Sequence, residues 1–495
     1  MHMTTLTIAT TPEQVDQAAR EAHAAFLTIA DESPATRAAR LNAIADALRA
    51  NADELVALAA ADTNLAEARL QGELRRSAFQ LDLFADEVRT GIAFDATVDH
   101  ADPDWGMGPR PDIRRVNVPL GVVGVFGASN FPFAFSVMGG DSASALAAGC
   151  AVLHKCHSGH QKLAVRTGEI VAEALAEAGA PSGLFALVDG RSAAEALVDH
   201  PLVKAIGFTG STAGGRALFN RASARPVPIP FYGELGSINP VFVLPKAWNA
   251  RAEEILTGYA ESFTAGMGQF CTKPGLLFVP ASASEEQLLS TLDAALKKVP
   301  LTKLLTPGLR ESFGKARGEV ASIDGVQALV PGSDDEVPAP TVLLVDARTV
   351  ASDPEVLHRE MFGPATVVVR YNDVADLPAL AAQMEGQLTA TVQADDGDPS
   401  GELLSTLTGI AGRVLWNGWP TGVTVSYAQH HGGPYPATTA PGTTSVGTAA
   451  IRRFMRPVAY QNVPDPVLPP ALQEANPWGI ARRVDGSLEP AGEPR

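Results

Sequence analysis

Cysteine is scarce in this 495-residue chain: Cys150, Cys156 and Cys271 are the only three. None belongs to a C-x-x-C pair, so the pattern suggests neither a disulfide framework nor a zinc site, and the expectation is no metal and a cytoplasmic setting. Positive charge is also short. With 38 Lys and Arg against 55 Asp and Glu, the net charge is −17. No basic cluster offsets that balance, which excludes an electrostatic footprint for nucleic acid. Long uncharged apolar runs are nearly absent. From Val116 to Leu153 only Asp141 is charged, but Pro119, Gly127, Asn130, Pro132 and the Gly139-Gly140 turn interrupt the stretch. Such breaks suit a buried strand and helix rather than a membrane span. Met1 to Thr10 lacks the basic and apolar regions of a secretory leader, so none is expected.

The length exceeds what one hydrophobic core sustains, so more than one packed unit is expected. Thr11-Pro12 and Ser33-Pro34 each set a capping residue before a proline and an Ala-rich helical run. A third amphipathic helix is predicted from about Ala61 to Arg89, followed by a loose connection to Pro111. Strand and helix signals then alternate: strands at Ile113–Val118, Leu120–Phe126, Ala151–His154, Leu184–Val188 and Ala205–Phe208, with helices at 161–179 and 193–200 between the later ones. That is a doubly wound α/β pattern. A second α/β block runs from about Gly236 to His430, with strands near 240–244, 275–279, 341–345, 366–370 and 413–416. From Val463 to Trp478 prolines are dense, and an extended surface arm or partner contact is expected.

Several residues are candidates for chemistry. Cys271 lies in Gly268-Gln269-Phe270-Cys271-Thr272, where a lone cysteine is more often a small buried hydrophobe than a nucleophile. Glu234 is bracketed by Gly233 and Gly236, where desolvation would raise its pKa toward a general base's range; a surface or helix-end glutamate is the plainer alternative. Asn130, just past a buried strand, can face an oxyanion or simply make a turn. The Thr209-Gly210-Ser211 turn between a strand and a helix can hold a pyrophosphate, although it is not G-x-G-x-x-G.

Taken together, Asn130, Lys155, Thr209-Gly210-Ser211, Glu234, Cys271 and Glu360 in Glu360-Met361-Phe362-Gly363-Pro364 resemble the aldehyde dehydrogenase superfamily over nearly the whole chain. Phe126 to Pro132, Gly268 to Gly275 and His431-Gly432-Gly433-Pro434-Tyr435-Pro436 look like its branch of α-ketoglutarate semialdehyde (2,5-dioxopentanoate) and NADP-dependent fatty-aldehyde dehydrogenases. The resemblance implies a Rossmann-like dinucleotide-binding domain with the N-terminal helices (1–235, oligomerisation strand at about 112–120) and an α/β catalytic domain (236–431). A return segment (432–495) would carry a second oligomerisation strand and the Pro-rich arm. It also implies roles. Cys271 would attack the aldehyde, Asn130 and the Cys271 N–H would hold the oxyanion, and Glu234 would activate water on the resulting thioester. Lys155 and Ser158 would reach the adenosine ribose, the Thr209-Gly210-Ser211 turn the pyrophosphate, and Glu360 with Phe362 the nicotinamide ribose. NAD-preferring relatives commonly carry glutamate where Ser158 stands, so NADP is the expected cofactor, with NAD possible, and Arg191 is a further candidate for the 2′-phosphate. A homodimer or homotetramer is expected, because Asp112–Val118 and Arg456–Gln461 alternate like edge strands.

The substrate implied first is α-ketoglutarate semialdehyde. Phe131, Phe133, Phe135, Met138, Phe270 and Trp419 would equally suit a fatty aldehyde, and neither Phe131–Met138 nor Trp419–Ser426 contains a Lys or Arg to meet a carboxylate. An inactive binding homologue and an acylating enzyme that uses coenzyme A are the other readings; Cys271, Glu234 and Asn130 together speak against the first, and Glu234 speaks against the second.

Overall fold

The computed structural model describes residues 10–492; residues 1–9, on which the leader reading chiefly rests, and 493–495 lie outside the described residues. Helices α1 (Pro12–Thr28) and α2 (Pro34–Ala50) start at the two expected caps. The Thr11 hydroxyl accepts the Gln14 N–H while Gln14 accepts the Thr11 N–H, and Ser33 caps the Thr36 N–H at 3.1 Å. Such caps contribute about 1 kcal/mol each. The predicted third helix is two, α3 (Ala52–Thr63) and α4 (Glu67–Thr90). Asn64 adopts φ 57° and ends α3, a left-handed conformation that Asn tolerates and that stops helix propagation.

The loose connection holds a short strand, β1 (Thr97–Asp99), before β2 (Ile113–Pro119) and β3 (Val122–Phe126). Then come α5 (Gly140–Ala148), β4 (Ala151–Lys155), α6 (Gln161–Glu177), β5 (Phe185–Val188), α7 (Arg191–Asp199), β6 (Val203–Thr209), α8 (Thr212–Ser223) and β7 (Phe231–Glu234). Strands β3 to β7 form a parallel sheet of order β5-β4-β3-β6-β7. Every residue of β3 is buried, as expected of a strand covered on both faces. The chain first builds outward from β3 to β5 and then crosses back to β6. The loops after β3, β4, β6 and β7 therefore gather at one sheet end, around the switch point where open α/β sheets bind ligands.

A seven-stranded sheet follows, from β8 (Pro240–Val243), β9 (Leu276–Pro280), β10 (Gln327–Val330), β11 (Thr341–Asp346), β12 (Ala365–Tyr371), β13 (Gln387–Gln393) and β14 (Ala411–Trp416). Its order is β10-β11-β12-β9-β8-β13-β14, with only β10 antiparallel. Helix α9 (Pro245–Thr264) packs on one face, where Trp248, Tyr259 and Phe263 meet Val241 and Leu277. β13, absent from the expected strands, reads Gln-Leu-Thr-Ala-Thr-Val-Gln and is wholly buried. Its Gln387 side chain accepts the N–H groups of Ile238 and Asn239.

A third sheet, of order β15-β2-β1-β16-β17, is completed by β15 (Met455–Gln461), β16 (Arg482–Val484) and β17 (Ser487–Glu489). This corrects the edge-strand expectation in part: of the two strands expected at an edge, β15 is one, whereas β2 lies between β15 and β1. The tail also differs from a surface arm, because Leu468, Ala471, Leu472 and Ile480 bury themselves in the same core as α1 to α4. Proline there fixes short turns rather than an exposed rod. Among the described residues no helix is long and apolar enough to cross a membrane.

Candidate active site

Cys271 sits in the turn between α9 and β9, and that turn is held hard. Gly268 adopts φ 67°, and a Cβ on it would lie 2.1 Å from the Gly363 carbonyl oxygen, so only glycine lets this loop approach the Gly363 segment. The Asn239 amide donates to the carbonyls of both Cys271 and Lys273 at 2.9 Å. Glu234 ends β7, almost fully buried. Its Oε1 accepts from His431 Nε2 at 2.9 Å, and its Oε2 accepts from the Ser445 hydroxyl at 2.9 Å. His431 Nε2 also stands 3.6 Å from Cys271 Sγ. Asn130 is buried on the far side of the turn, donating one amide N–H to the Gln269 carbonyl at 2.9 Å; an amide carries a second. Among the described residues the Cys271 backbone N–H has no hydrogen-bond acceptor.

His431 escaped the sequence reading. It lay in the His-Gly-Gly-Pro turn noted for its resemblance, and nothing local marked it for chemistry. The turn is anchored by the Thr444 hydroxyl accepting the His431 N–H at 2.8 Å and by the Ser445 N–H reaching the His431 carbonyl. Only tertiary folding brings it to Glu234.

Electrostatics at this centre correct one expectation. Burial does push the Glu234 carboxyl upward, but His431, Ser445 and the Cys271 thiol outweigh it and leave its pKa below the usual value. The Cys271 thiol is pushed well above its ordinary range by burial and by the neighbouring Glu234 charge. One proton therefore rests on sulfur and the charge on Glu234. Cys271, Glu234 and His431 also bring one potential metal ligand each within 4.8 Å of one another; hydrogen bonds among the three account for that spacing.

Residues 3–454 match the family model described as the aldehyde dehydrogenase family. The chain belongs to the aldehyde dehydrogenase family. It is 45% identical over 482 residues, 96% of its length and 92% of the relative's, to α-ketoglutaric semialdehyde dehydrogenase 2 of Azospirillum brasilense. It is 43% identical over 484 residues, 97% and 92% of the two chains, to α-ketoglutaric semialdehyde dehydrogenase of Acinetobacter baylyi. The solved aldehyde dehydrogenase C of Pseudomonas syringae, in complex with NAD+ and octanal, shares the fold: TM-score 0.76 and 20% identity over 92% of this chain and 90% of that one. This aldehyde dehydrogenase is thus an oxidoreductase that converts an aldehyde to a carboxylic acid with NAD(P).

The residues expected at the cofactor fall where the sheet gathers its loops. Lys155 ends β4, and Ser158 follows it, exposed, on a short turn. Thr209 ends β6, Gly210 and Ser211 are exposed, and the Ser211 hydroxyl caps the Gly214 N–H at 3.3 Å at the open start of α8. Glu360 and Phe362 lie on the loop before β12, half-buried. A Cβ on Gly236 would come within 2.7 Å of both Glu360 Oε2 and Thr212 Oγ1, so the Glu360 loop and the start of α8 frame one cradle. An exposed helix start beside a carboxylate and a lysine at the switch point suits a dinucleotide. Burial raises the Glu360 pKa to about 7 against the pull of Lys273. Lys273 itself turns away from Cys271, donating to the Met361 and Ala365 carbonyls. Arg191 starts α7 with its side chain 95% exposed and Glu195 3.9 Å away, the solvated arrangement.

Of the aromatic residues expected around the substrate, Phe131 meets Phe135 and Phe270 edge-on at 5.5 and 4.9 Å, and Phe135 lies 6.0 Å from the His431 ring. Trp419 sits apart, against Tyr259 and Gly258 on the other side of α9. Phe133 and Met138 join the core of the five-stranded parallel sheet.

Proposed function

We propose that this enzyme oxidises α-ketoglutaric semialdehyde to 2-oxoglutarate, with NADP as the preferred acceptor, through a thioester on Cys271. The observation that carries the chemistry is the hydrogen-bonded grouping of Cys271, Glu234 and His431; the substrate reading leans on the two bacterial relatives. Cys271 gives its proton to the charged Glu234, and the thiolate forms a bond to the aldehyde carbon while the carbonyl pair moves onto oxygen. The second Asn130 N–H and the Cys271 backbone N–H stabilise that oxyanion. Lys155, Ser158, the Thr209-Gly210-Ser211 turn, Glu360 and Phe362 would hold NAD(P), whose nicotinamide supplies the hydride acceptor. Glu234, having shed its first proton to solvent, takes another from the water that opens the thioester. His431 and Ser445 hold Glu234 in place throughout. A reducing cytoplasm keeps Cys271 a thiol.

With NADP, kcat/KM for α-ketoglutaric semialdehyde is expected to exceed those for succinic semialdehyde, hexanal and decanal, with acid formed in the absence of coenzyme A. Decanal ahead by more than about tenfold would transfer the reading to a fatty-aldehyde dehydrogenase.

For the cofactor, a carboxylate at Ser158 would repel a 2′-phosphate that Lys155 attracts. Ser158→Glu is therefore expected to lower the NADP/NAD ratio of kcat/KM by about tenfold or more, and an unchanged ratio would count against NADP selection at this turn.

We also propose a homodimer or homotetramer, because β15 alternates exposed and half-buried residues along an open edge, which a second subunit would pair. Sedimentation at micromolar concentration is expected to give a species of at least two chains; a monomer refutes it.

A further inference from the structure

Cations do stand beside the reacting centre, but they come from outside Phe131–Met138 and Trp419–Ser426, the two segments that lack Lys and Arg. Arg69 and Arg76 lie two turns apart on α4 and so share a face; Arg413 is on β14. The Arg69 guanidinium lies 4.7 Å from the Phe270 ring centre and 5.1 Å from that of Phe131, and donates to the Asn130 carbonyl at 2.6 Å. Arg76 lies 5.4 Å from the Phe135 ring, which also neighbours the His431 ring at 6.0 Å. Arg76 and Arg413 also grip one segment from two sides. Arg76 Nε donates to the Val423 carbonyl at 3.2 Å, and Arg413 donates to those of Pro420 at 2.6 Å and Gly422 at 3.2 Å.

Those contacts leave much of each guanidinium unused. Arg76 Nη1 and Nη2, Arg69 Nε and Nη1, and Arg413 Nε are buried without a hydrogen-bond partner. Among the described residues none of the three arginines is in an ion pair. Of the carboxylates nearby, Glu73 spends Oε1 on the Phe133 and Ala134 N–H groups and keeps a buried Oε2 without a hydrogen-bond partner, while Glu234 serves His431 and Ser445. Among charged neighbours Arg76 feels Glu73 first and also Glu234, and both Arg76 and Arg413 lie close enough to Cys271 to feel its thiolate when that forms. Buried guanidinium groups with idle donors are what a carboxylate ligand would satisfy, while a hydrocarbon tail would leave them unpaired.

We propose that Arg76 and Arg413, with Arg69 behind the aromatic wall, form a subsite for the carboxylate of a short oxo-acid aldehyde whose aldehyde carbon reaches Cys271. The inference rests on the α-ketoglutaric semialdehyde reading and adds the residues that select it. Arg76, with both Nη atoms free, supplies the paired donors that fit a carboxylate's two oxygens.

The test is the ratio of kcat/KM for α-ketoglutaric semialdehyde to kcat/KM for hexanal, measured for the native enzyme, Arg76→Met and Arg413→Met. Each methionine variant is expected to lower that ratio by about thirtyfold or more. Inhibition by 2-oxoglutarate, measured against hexanal, should weaken in parallel. A ratio that stays within about threefold of native in both variants overturns the subsite, including the case in which both substrates decline together, because the arginines would then only clasp the backbone. If the native enzyme itself prefers hexanal, the substrate reading falls and the subsite with it; a native preference for the oxo acid that survives both substitutions removes the subsite alone. Should a methionine variant fail to fold, Arg76→Lys and Arg413→Lys decide by the same ratio, since lysine keeps the charge and loses the paired donors.

Discussion

Cys271→Ala is expected to reduce aldehyde oxidation by about four orders of magnitude or more, with the fold intact by circular dichroism. The size follows from the arrangement of the site. No other described cysteine can take over, because Cys150 and Cys156 are fully buried in the core around the five-stranded parallel sheet, away from Glu234 and Asn130. His431 is a second nucleophile in principle, but its Nε2 is engaged by Glu234 at 2.9 Å. Asn130 and the open N–H at residue 271 would still bind the carbonyl oxygen, yet without a carbon–sulfur bond there is no tetrahedral centre for them to stabilise. Residual oxidation within a hundredfold of native would reject Cys271 as the nucleophile.

Glu234→Gln is expected to separate the two halves of the reaction. Steady turnover falls by about two to four orders of magnitude, because no other side chain contacting the sulfur is a free carboxylate base for the hydrolytic water. Acylation of Cys271 survives. The glutamine lacks the charge that opposes thiolate formation, so the Cys271 pKa moves down, and the proton leaves to solvent instead of to residue 234. Two observations check this. Intact-mass spectrometry should find one acyl group per chain on the variant after mixing with aldehyde and NADP. The pH midpoint for alkylation of Cys271 should lie lower in the variant than in the native protein. A midpoint that moves upward, or a variant that turns over as native does, contradicts the assignment.

Much of this architecture was legible because its physics is local. Thr11 and Ser33 before proline announce helix starts, and a Val-rich run such as residues 122–126 fits only a strand covered on both faces. What escaped depends on partners far along the chain. β13 carries Gln and Thr at inward positions, and partners far along the chain meet most of them: Ser237 bonds Gln387, Asn239 bonds Thr389 and the Gly418 carbonyl accepts from Gln393. The break at Asn64 turns on one backbone angle inside a composition that favours helix throughout. At the site, the flanks of Cys271, Glu234 and Asn130 taken singly favoured plain structural roles and only their joint resemblance to the family pointed to chemistry, whereas the direction of the Glu234 pKa depended on His431 and Ser445, which no spacing connects to it. The arginines are hidden in the sequence for a similar reason: the segments beside the site motifs carry no Lys or Arg, and the cations approach from α4 and β14.

The reacting centre draws Glu234 from the end of β7 in the five-stranded parallel sheet, Cys271 from the turn that leads into β9 at the middle of the seven-stranded one, and His431 from the chain that follows β14. Glu234 lies in the N-terminal half of the 495-residue chain, and Cys271 and His431 lie in the C-terminal half. Catalysis is therefore a late reporter of assembly: on refolding, helix and sheet content should recover ahead of activity, and mild heat should silence the enzyme while most of its spectroscopic structure persists.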